Sequence, residues 1–320
     1  MTVTVLCGGV GAARFLAGLV QVVDPTSVTA VVNTADDSVI NGLAVSPDLD
    51  TVVYTLAGAI DPERGWGLAG ETWQAMEGLA RYAAVRPAGS AAALTWFNLG
   101  DRDLATHVYR TTRRDERATL TEITAEIAAA WGLRLRVLPM TDDPVATVLV
   151  RPDGSELAFQ EYFVRHRHDV EVAAVRFAGA DSAAPTPAAL AAIAESDVVV
   201  IAPSNPLVSI GPLRALAGID AALAARRERN VAVSPIVGGR ALKGPADRML
   251  AELGHEPTVA GVARLYGEIA ATLVIDPADA ALAPAVEAAG MHPLVVPAVM
   301  STPEAAAALA RATIGAVTGR

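Results

Sequence analysis

Residues 3–19 read V-T-V-L-C-G-G-V-G-A-A-R-F-L-A-G-L, and they contain the strongest indication of how the chain folds. An apolar run rich in β-branched residues ends in Gly8-Gly9-Val10-Gly11 and passes at once into alanine-rich sequence. That order predicts a strand, a tight glycine turn and the start of a helix. Such a turn is a candidate phosphate site, because backbone N–H groups and the helix dipole both favour an anion there. A turn that needs glycine only for strand–helix packing would have the same sequence.

Three further predicted strands indicate the kind of sheet to which the first strand belongs. Residues 27–33, 197–202 and 230–234 are apolar runs, each followed by helical sequence. Continuous runs of this kind predict an α/β fold with a mainly parallel sheet covered on both faces. The later two break into P-S-N-P at 203–206 and P-I-V-G-G-R at 235–240, which predicts further ligand-binding turns at the same sheet edge.

Composition narrows the class of protein. The 320 residues carry a net charge of −10, which argues against nucleic-acid binding through the overall field. Mean hydropathy is +0.37, yet no apolar run reaches the roughly 18 residues needed to cross a bilayer. Residues 1–20 lack the positive start of a signal peptide, so we expect a cytoplasmic protein without membrane contact. Cys7 is the single cysteine, which excludes an internal disulfide.

Four carboxylates cluster after the second strand. Asp36 and Asp37 follow it directly, and Asp48 and Asp50 precede a helical stretch predicted at 51–59. A helix cap explains one of them, or two. Four within fifteen residues favour a site for a hard divalent cation.

The middle of the chain is less regular. Three of the four tryptophans fall between residues 61 and 111, which suggests a surface for a flat ring or a satellite hydrophobic cluster. The sequence predicts helical structure at residues 112–132, a loop at residues 159–172 and a flexible hinge at residues 180–187.

With these segments assembled, the sequence resembles the CofD/FbiA family of the deazaflavin coenzyme F420 pathway. The resemblance is carried in chain order by C-G-G-V-G-A-A-R-F (7–15), V-N-T-A-D-D (32–37), S-P-D-L-D-T-V-V-Y-T-L-A-G (46–58), G-W-G-L-A-G-E-T (65–72), W-F-N-L-G-D-R-D-L-A-T-H (96–107), F-Q-E-Y-F-V-R (159–165), A-P-S-N-P-L-V-S-I-G-P (202–212) and S-P-I-V-G-G-R-A-L-K-G-P-A-D (234–247).

The resemblance implies a Rossmann-like, three-layer α/β/α domain over residues 1–320, elaborated at about 60–180 by an irregular, helical insertion that forms a deazaflavin pocket. It implies a Mg²⁺-dependent transferase that moves a phosphoenolpyruvyl or 2-phospho-L-lactyl group from a GDP-activated donor to the ribityl hydroxyl of the deazaflavin precursor Fo, with release of GMP. The sequence does not choose between the two donors. The family also implies a homodimer.

Site residues follow from the matching motifs. The resemblance implies Fo contacts at Asp50, Trp96 and Arg102, and we expect Asp36 and Asp50 to bind the metal. Asp37 is the candidate base, or a residue behind the metal ligands. The nucleotide and diphosphate are expected to lie against Gly9, Gly11, Ser204, Asn205, Gly238, Gly239 and Lys243.

Two other classes stay open. A Rossmann-type NAD(P) oxidoreductase fits the first turn but lacks the third glycine and the acidic residue for the ribose. A nucleotide-sensing protein of the same superfamily needs no Fo contact at Trp96 or Arg102. One position also departs from several relatives, which have glycine where this chain has Ala35. If the backbone there needs a positive φ, alanine would alter the path of the acid loop, residues 34–37.

Overall fold

A seven-stranded parallel sheet forms the centre of the computed structural model, which describes residues 1–319. The strands in these residues are β1 (Val3–Cys7), β2 (Val28–Val32), β3 (Ser38–Ile40), β4 (Leu43–Val45), β5 (Arg136–Pro139), β6 (Ala146–Val150), β7 (Glu156–Ala158), β8 (Ala174–Ala178), β9 (Val198–Ile201), β10 (Asn230–Val233), β11 (Ile236–Val237), β12 (Arg240–Ala241), β13 (Thr272–Ile275) and β14 (His292–Val295).

The large sheet has the order β14-β13-β10-β9-β1-β2-β5. Within it, β1 pairs with β2 on one side, where Val3 lies opposite Val28, and with β9 on the other, where Val3 lies opposite Val198. The chain therefore changes direction of travel across the sheet at the β1–β9 pair. Ligands of open parallel sheets bind at such a switch point, outside the carboxyl ends of the strands.

Helices cover both faces of this sheet. They are α1 (Gly9–Leu19), α2 (Pro47–Leu56), α3 (Gln74–Ala83), α4 (Leu104–Asp115), α5 (Leu120–Ala130), α6 (Pro187–Glu195), α7 (Gly211–Ala215), α8 (Ile219–Ala224), α9 (Ala246–Glu252), α10 (Val259–Tyr266), α11 (Ala283–Ala288) and α12 (Pro303–Thr318). Residues 112–132, expected to be helical, form parts of the two helices α4 and α5, because the chain turns at residues 116–119.

Alternate residues of each strand enter two separate cores. Val5 and Val200 pack with α1, α2, α5 and α12, whereas Leu6 and Ile201 pack with α6 to α11. This alternation is the period of two expected of a strand buried on both faces. The predicted three-layer α/β/α architecture is confirmed.

Smaller elements surround the carboxyl edge of the sheet. Strands β3 and β4 form a hairpin, and β7-β6-β8 form an antiparallel sheet. Residues 60–180, the expected insertion, contain that small sheet together with α3 and α4, but also β5, which belongs to the large sheet. Among the residues described, no helix has both the length and the apolar character needed to cross a membrane.

Candidate functional site

A cavity of about 820 Å³ opens at the carboxyl ends of the central strands. The turns that follow β1, β2, β9 and β10 contribute to its walls and are placed by the sheet itself. Further parts of the walls come from segments within residues 64–67, 97–107, 159–164 and 298–301. The size lies within the range of small-molecule sites, about 300–1,000 Å³.

The glycine turn after β1 forms the floor of this cavity. Gly9 has a φ of +72°, a conformation that favours glycine. A Cβ at Gly8 would lie 2.7 Å from Oδ2 of Asp48, so the absent side chain makes room for that carboxylate. The Ser204 hydroxyl, 2.8 Å from the Gly8 carbonyl oxygen, donates to it and ties the turn after β9 to the turn after β1.

Gly11 also lines the cavity, and it has a packing role as well. A Cβ at Gly11 would lie 2.3 Å from the carbonyl oxygen of Pro203. Helix α1 therefore approaches the backbone of the β9 turn at a distance that only glycine permits.

Asp36 and Asp48 form a buried carboxylate pair beside the glycine turn. One amide group, Nδ2 of Asn33, donates to both, at 3.1 Å to Asp36 and 3.0 Å to Asp48. Burial and the charge of Asp48 raise the pKa of Asp36 well above its usual value, and burial raises the pKa of Asp48 to about 6. Oδ1 of Asp36 is buried without a hydrogen-bond partner in the described chain.

Asp37 lies next to this pair but does not line the cavity formed by the described residues. Its Oδ2 accepts a 2.6 Å hydrogen bond from the Ser46 hydroxyl, and its Oδ1 is shielded from solvent. Burial raises the pKa of Asp37 to about 8. A carboxyl group in this position is protonated near neutral pH.

Asp50 enters the cavity from the first turn of α2 and is held from behind by helix α4. Arg110 donates to both of its carboxylate oxygens, with Nη1 3.1 Å from Oδ2 and Nη2 bonded to Oδ1. Burial raises the pKa of Asp50, and the charge of Arg110 opposes that rise. His107 in turn lies 3.3 Å from Asp103 through Nε2.

Two groups of side chains are candidates to hold a cation. Asp50, Asp103 and His107 offer ligand atoms within 4.8 Å of one another. Both oxygens of Asp50 are already bonded to the Arg110 guanidinium, whose positive charge disfavours a second cation. Asp36 and Asp48 have no such cationic partner among the residues described, and the free Oδ1 of Asp36 lacks a donor. The Asp36–Asp48 pair therefore fits a divalent cation better than the expected Asp36–Asp50 pair.

Neither Trp96 nor Arg102 is among the described residues that line the cavity. Trp96 is half-buried and packs with its ring edge-on to Phe97, which does line the cavity. Arg102 is exposed, and its guanidinium donates to the Ala69 carbonyl oxygen. The Fo contacts assigned to them by the resemblance stay predictions.

Some of the residues expected to bind the nucleotide and diphosphate line the cavity, and others do not. Ser204, Asn205 and Lys243 line the cavity together with Gly9 and Gly11. Asn205 also accepts from the backbone N–H groups of residues 207 and 208 and so caps the turn that follows it.

Gly238 and Gly239 form the tight turn of the β11–β12 hairpin, with φ of 59° and 75°. Two consecutive positive φ values are what a two-residue hairpin turn requires. Neither glycine is among the described residues that line the cavity.

Trp66, one of the three tryptophans that the sequence suggested as a surface for a flat ring, lines the cavity, whereas Phe159 and Phe163 were not expected there. The Arg64 guanidinium stacks on Trp66 at 5.3 Å and on Trp73 at 5.4 Å, and Trp66 remains 43% exposed. Phe159 and Phe163 also line the cavity and stack at 5.5 Å within the segment expected to be a loop, where residues 161–165 form a π-helix. Single-turn π-helices are frequent at functional sites.

The fold and the site together define a Rossmann-like α/β protein with an acidic ligand cavity at its switch point. Residues 3–305 match the family described as 2-phospho-L-lactate transferase CofD. The chain therefore belongs to the CofD family, as the motifs indicated, and is a transferase.

Individual relatives agree. The phosphoenolpyruvate transferase of Streptomyces griseus is 45% identical over 315 residues, which cover 97% of this chain and 96% of that protein. That of Mycobacterium avium is 45% identical over 300 residues, covering 86% and 87%. That of Kitasatospora aureofaciens is 43% identical over 319 residues, covering 98% and 97%.

A solved structure shares the fold. The crystal structure of a UPF0052-family protein from Bacillus halodurans superimposes with a TM-score of 0.64 over 98% of both chains. Its sequence identity is 16%, so the likeness concerns the fold alone.

Proposed function

We propose that this protein transfers a phosphoenolpyruvyl group from a GDP-activated donor to the terminal ribityl hydroxyl of Fo in coenzyme F420 biosynthesis. The hydroxyl oxygen attacks the phosphorus that bears the three-carbon acid. The bond from that phosphorus to the bridging oxygen breaks, GMP leaves, and a phosphodiester forms. The names of the relatives favour phosphoenolpyruvate over 2-phospho-L-lactate as the three-carbon acid.

One observation carries the proposal: a buried carboxylate pair beside a glycine turn at the switch point. Asp36 and Asp48 share the Asn33 amide at the edge of an 820 Å³ cavity, large enough for a donor and an acceptor together. A protein of net charge −10 needs local devices to hold a diphosphate. The turn and the carboxylate pair are such devices.

Asp36 and Asp48 would hold the Mg²⁺ ion. When bound, Mg²⁺ neutralises charge on the phosphate oxygens and polarises the phosphorus. Burial of two carboxylates side by side is unfavourable by itself, as their raised pKa values indicate. A divalent cation offsets this repulsion, so we expect the protein to bind it with release of protons.

We assign two of the cationic side chains that line the cavity to its donor side. Arg14 and Lys243 line it, and a Cβ at Gly65 would lie 2.8 Å from the Lys243 ammonium. We place the diphosphate near the glycine turn and these two side chains, with the nucleoside against Ser204 and Asn205. Positioning of this kind contributes much of the rate in phosphoryl transfer.

The acceptor side is formed by Asp50 and the aromatic walls. Asp50 is the Fo-contacting position of the resemblance that lines the cavity. Phe97, Trp66 and Phe163 offer apolar surface for a flat tricyclic ring. The proton that the ribityl hydroxyl loses passes to solvent water and not to Asp37, because the Asp37 carboxyl is protonated near neutral pH and faces Ser46.

The test is incubation with Fo, Mg²⁺ and each GDP-linked donor, followed by mass analysis of the product. We expect the phosphodiester product and GMP, loss of both in EDTA, and recovery with Mg²⁺ or Mn²⁺. Asp48→Asn should lower kcat by on the order of 10². Asp115→Asn, the same change at an exposed site at the end of α4, should leave it unaltered.

Two results would contradict the proposal. Full activity in chelator would remove the metal from it. Binding of GDP without any binding or turnover of Fo would favour the nucleotide-sensing alternative.

A further inference from the structure

Arg110 is the largest of the fully buried side chains in the described residues. Only 2% of its surface is exposed, and it does not line the cavity that the described residues form. Burying a guanidinium is costly unless a well-oriented anion compensates it. The reaction proposed above gives this residue no direct contact with a substrate.

The compensating anion is Asp50. Nη1 and Nη2 of Arg110 each donate to a different oxygen of that carboxylate, which is the bidentate arrangement that fixes orientation as well as charge. Nη1 also lies 3.3 Å from the carbonyl oxygen of Ala44. The Asp50 carboxylate is thus held from behind while its residue lines the cavity.

Helix α4 holds the guanidinium in turn. Asp103, His107 and Arg110 are spaced by four and three residues and therefore share one face of the helix. Nη1 of Arg110 lies 3.3 Å from Nδ1 of His107. A guanidinium only donates, so Nδ1 accepts, and the proton on Nε2 faces Asp103 at 3.3 Å. Tyr54 donates a 2.5 Å hydrogen bond to the other oxygen of Asp103.

We propose that Arg110 is a positioning residue for the acceptor substrate. Its bidentate contact holds the Asp50 carboxyl group in one orientation, so that Asp50 accepts a hydrogen bond from a hydroxyl or ring N–H group of the acceptor. The inference rests on the proposed function, because Asp50 needs an acceptor to contact. A purely structural ion pair would have no reason to present its carboxylate to a ligand cavity.

The experiment compares Arg110→Lys with Arg113→Lys. Arg113 lies three residues further along α4 and forms partly exposed ion pairs with Glu116 and Glu126, so it is a matched control for the same change. Lysine keeps the charge but loses the bidentate contact. We expect Arg110→Lys to raise the KM and Kd for Fo about tenfold, with the KM for the donor changed less than twofold. Arg113→Lys should change neither.

A double-variant cycle separates positioning from folding. In an Asp50→Asn background, Arg110→Lys should have less than a twofold effect on Fo binding, because the carboxylate it positions is gone. Circular dichroism and thermal melts check that each variant is folded.

The outcomes are distinguishable. An active wild-type protein in which Arg110→Lys matches Arg113→Lys would overturn this inference alone. Equal loss of affinity for both substrates, or a full effect of Arg110→Lys in the Asp50→Asn background, would also overturn it. A wild-type protein that neither binds nor converts Fo would refute the proposed function, and this inference with it.

Discussion

Substitution of Gly11 by alanine tests how closely helix α1 approaches the turn after β9. The new Cβ would lie 2.3 Å from the Pro203 carbonyl oxygen, whereas carbon–oxygen contacts are normally at about 3.3 Å. About 1 Å of movement is therefore needed. The neighbour is backbone, which cannot rotate away as a side chain does. Overpacking of this kind costs about 1–3 kcal/mol, and we take the upper end for that reason.

A second effect acts in the opposite direction. Alanine is favoured over glycine inside a helix by about 1 kcal/mol, so the expected net loss for Gly11→Ala is about 2 kcal/mol in the free energy of unfolding. Gly78 in α3 is the matched control, since a Cβ there meets nothing within 4 Å in the described structure. Gly78→Ala should stabilise the protein by about 0.5–1 kcal/mol.

Urea unfolding followed by circular dichroism measures both changes. The m-value should stay constant if only the native state is affected. We also expect Gly11→Ala to lower activity, because movement of the Pro203 turn displaces Ser204 from the floor of the cavity. A Gly11→Ala protein as stable as the wild type would show that the two backbones are not in contact, and the reasoning from this approach would fail.

Two further predictions concern the acid loop. In EDTA, Asp37→Asn should stabilise the protein at pH 7 by up to about 4 kcal/mol and have little effect at pH 4, as measured by thermal melts. The folded protein holds a proton on Asp37 up to about pH 8, whereas the unfolded chain releases it near its ordinary pKa, so wild-type stability falls as pH rises between these values. Equal pH dependence of both proteins would contradict this account. Ala35→Gly should leave the kinetic constants unchanged but lower the free energy of unfolding by about 0.4–1 kcal/mol, because Ala35 is not among the described residues with positive φ. A gain in kcat would show that the loop is strained by alanine.

The parallel sheet was predictable because its signal is local. Residues 197–202 and 230–234 are apolar and β-branched, and the strands lie at Val198–Ile201 and Asn230–Val233. The φ angle of Ala35 could be known only from the structure, since nothing in the sequence shows whether a φ angle is positive. The π-helix at Glu161–Arg165 was missed for a similar reason, because its distinction from a loop lies in hydrogen bonding and not in residue type.

The partners of the individual aspartates were harder to predict from the sequence than the strands were. Sequence placed Asp36, Asp48 and Asp50 in one region, but it could not show that Asn33 joins Asp36 to Asp48 while Arg110 takes Asp50. Arg110 is 60 residues from Asp50 along the chain. The one available signal was the spacing of Asp103, His107 and Arg110 on a helix face, which resembles an ordinary solvated helix pattern until the partner helix is known.

The position of β1 in the sheet also has a consequence for folding. This strand can pair with β2 as soon as about the first thirty residues are available, but its other neighbour, β9, begins at Val198. During synthesis the edge of β1 that pairs with β9 therefore stays unpaired until most of the chain has been made. Pairings of such long sequence separation form slowly, since their loop-closure entropy is lost before the contacts are gained. An apolar, unpaired edge of this kind is the natural target of chaperones and the natural start of aggregation. Slow refolding and a dependence of yield on protein concentration are expected to follow from the same topology that creates the ligand cavity.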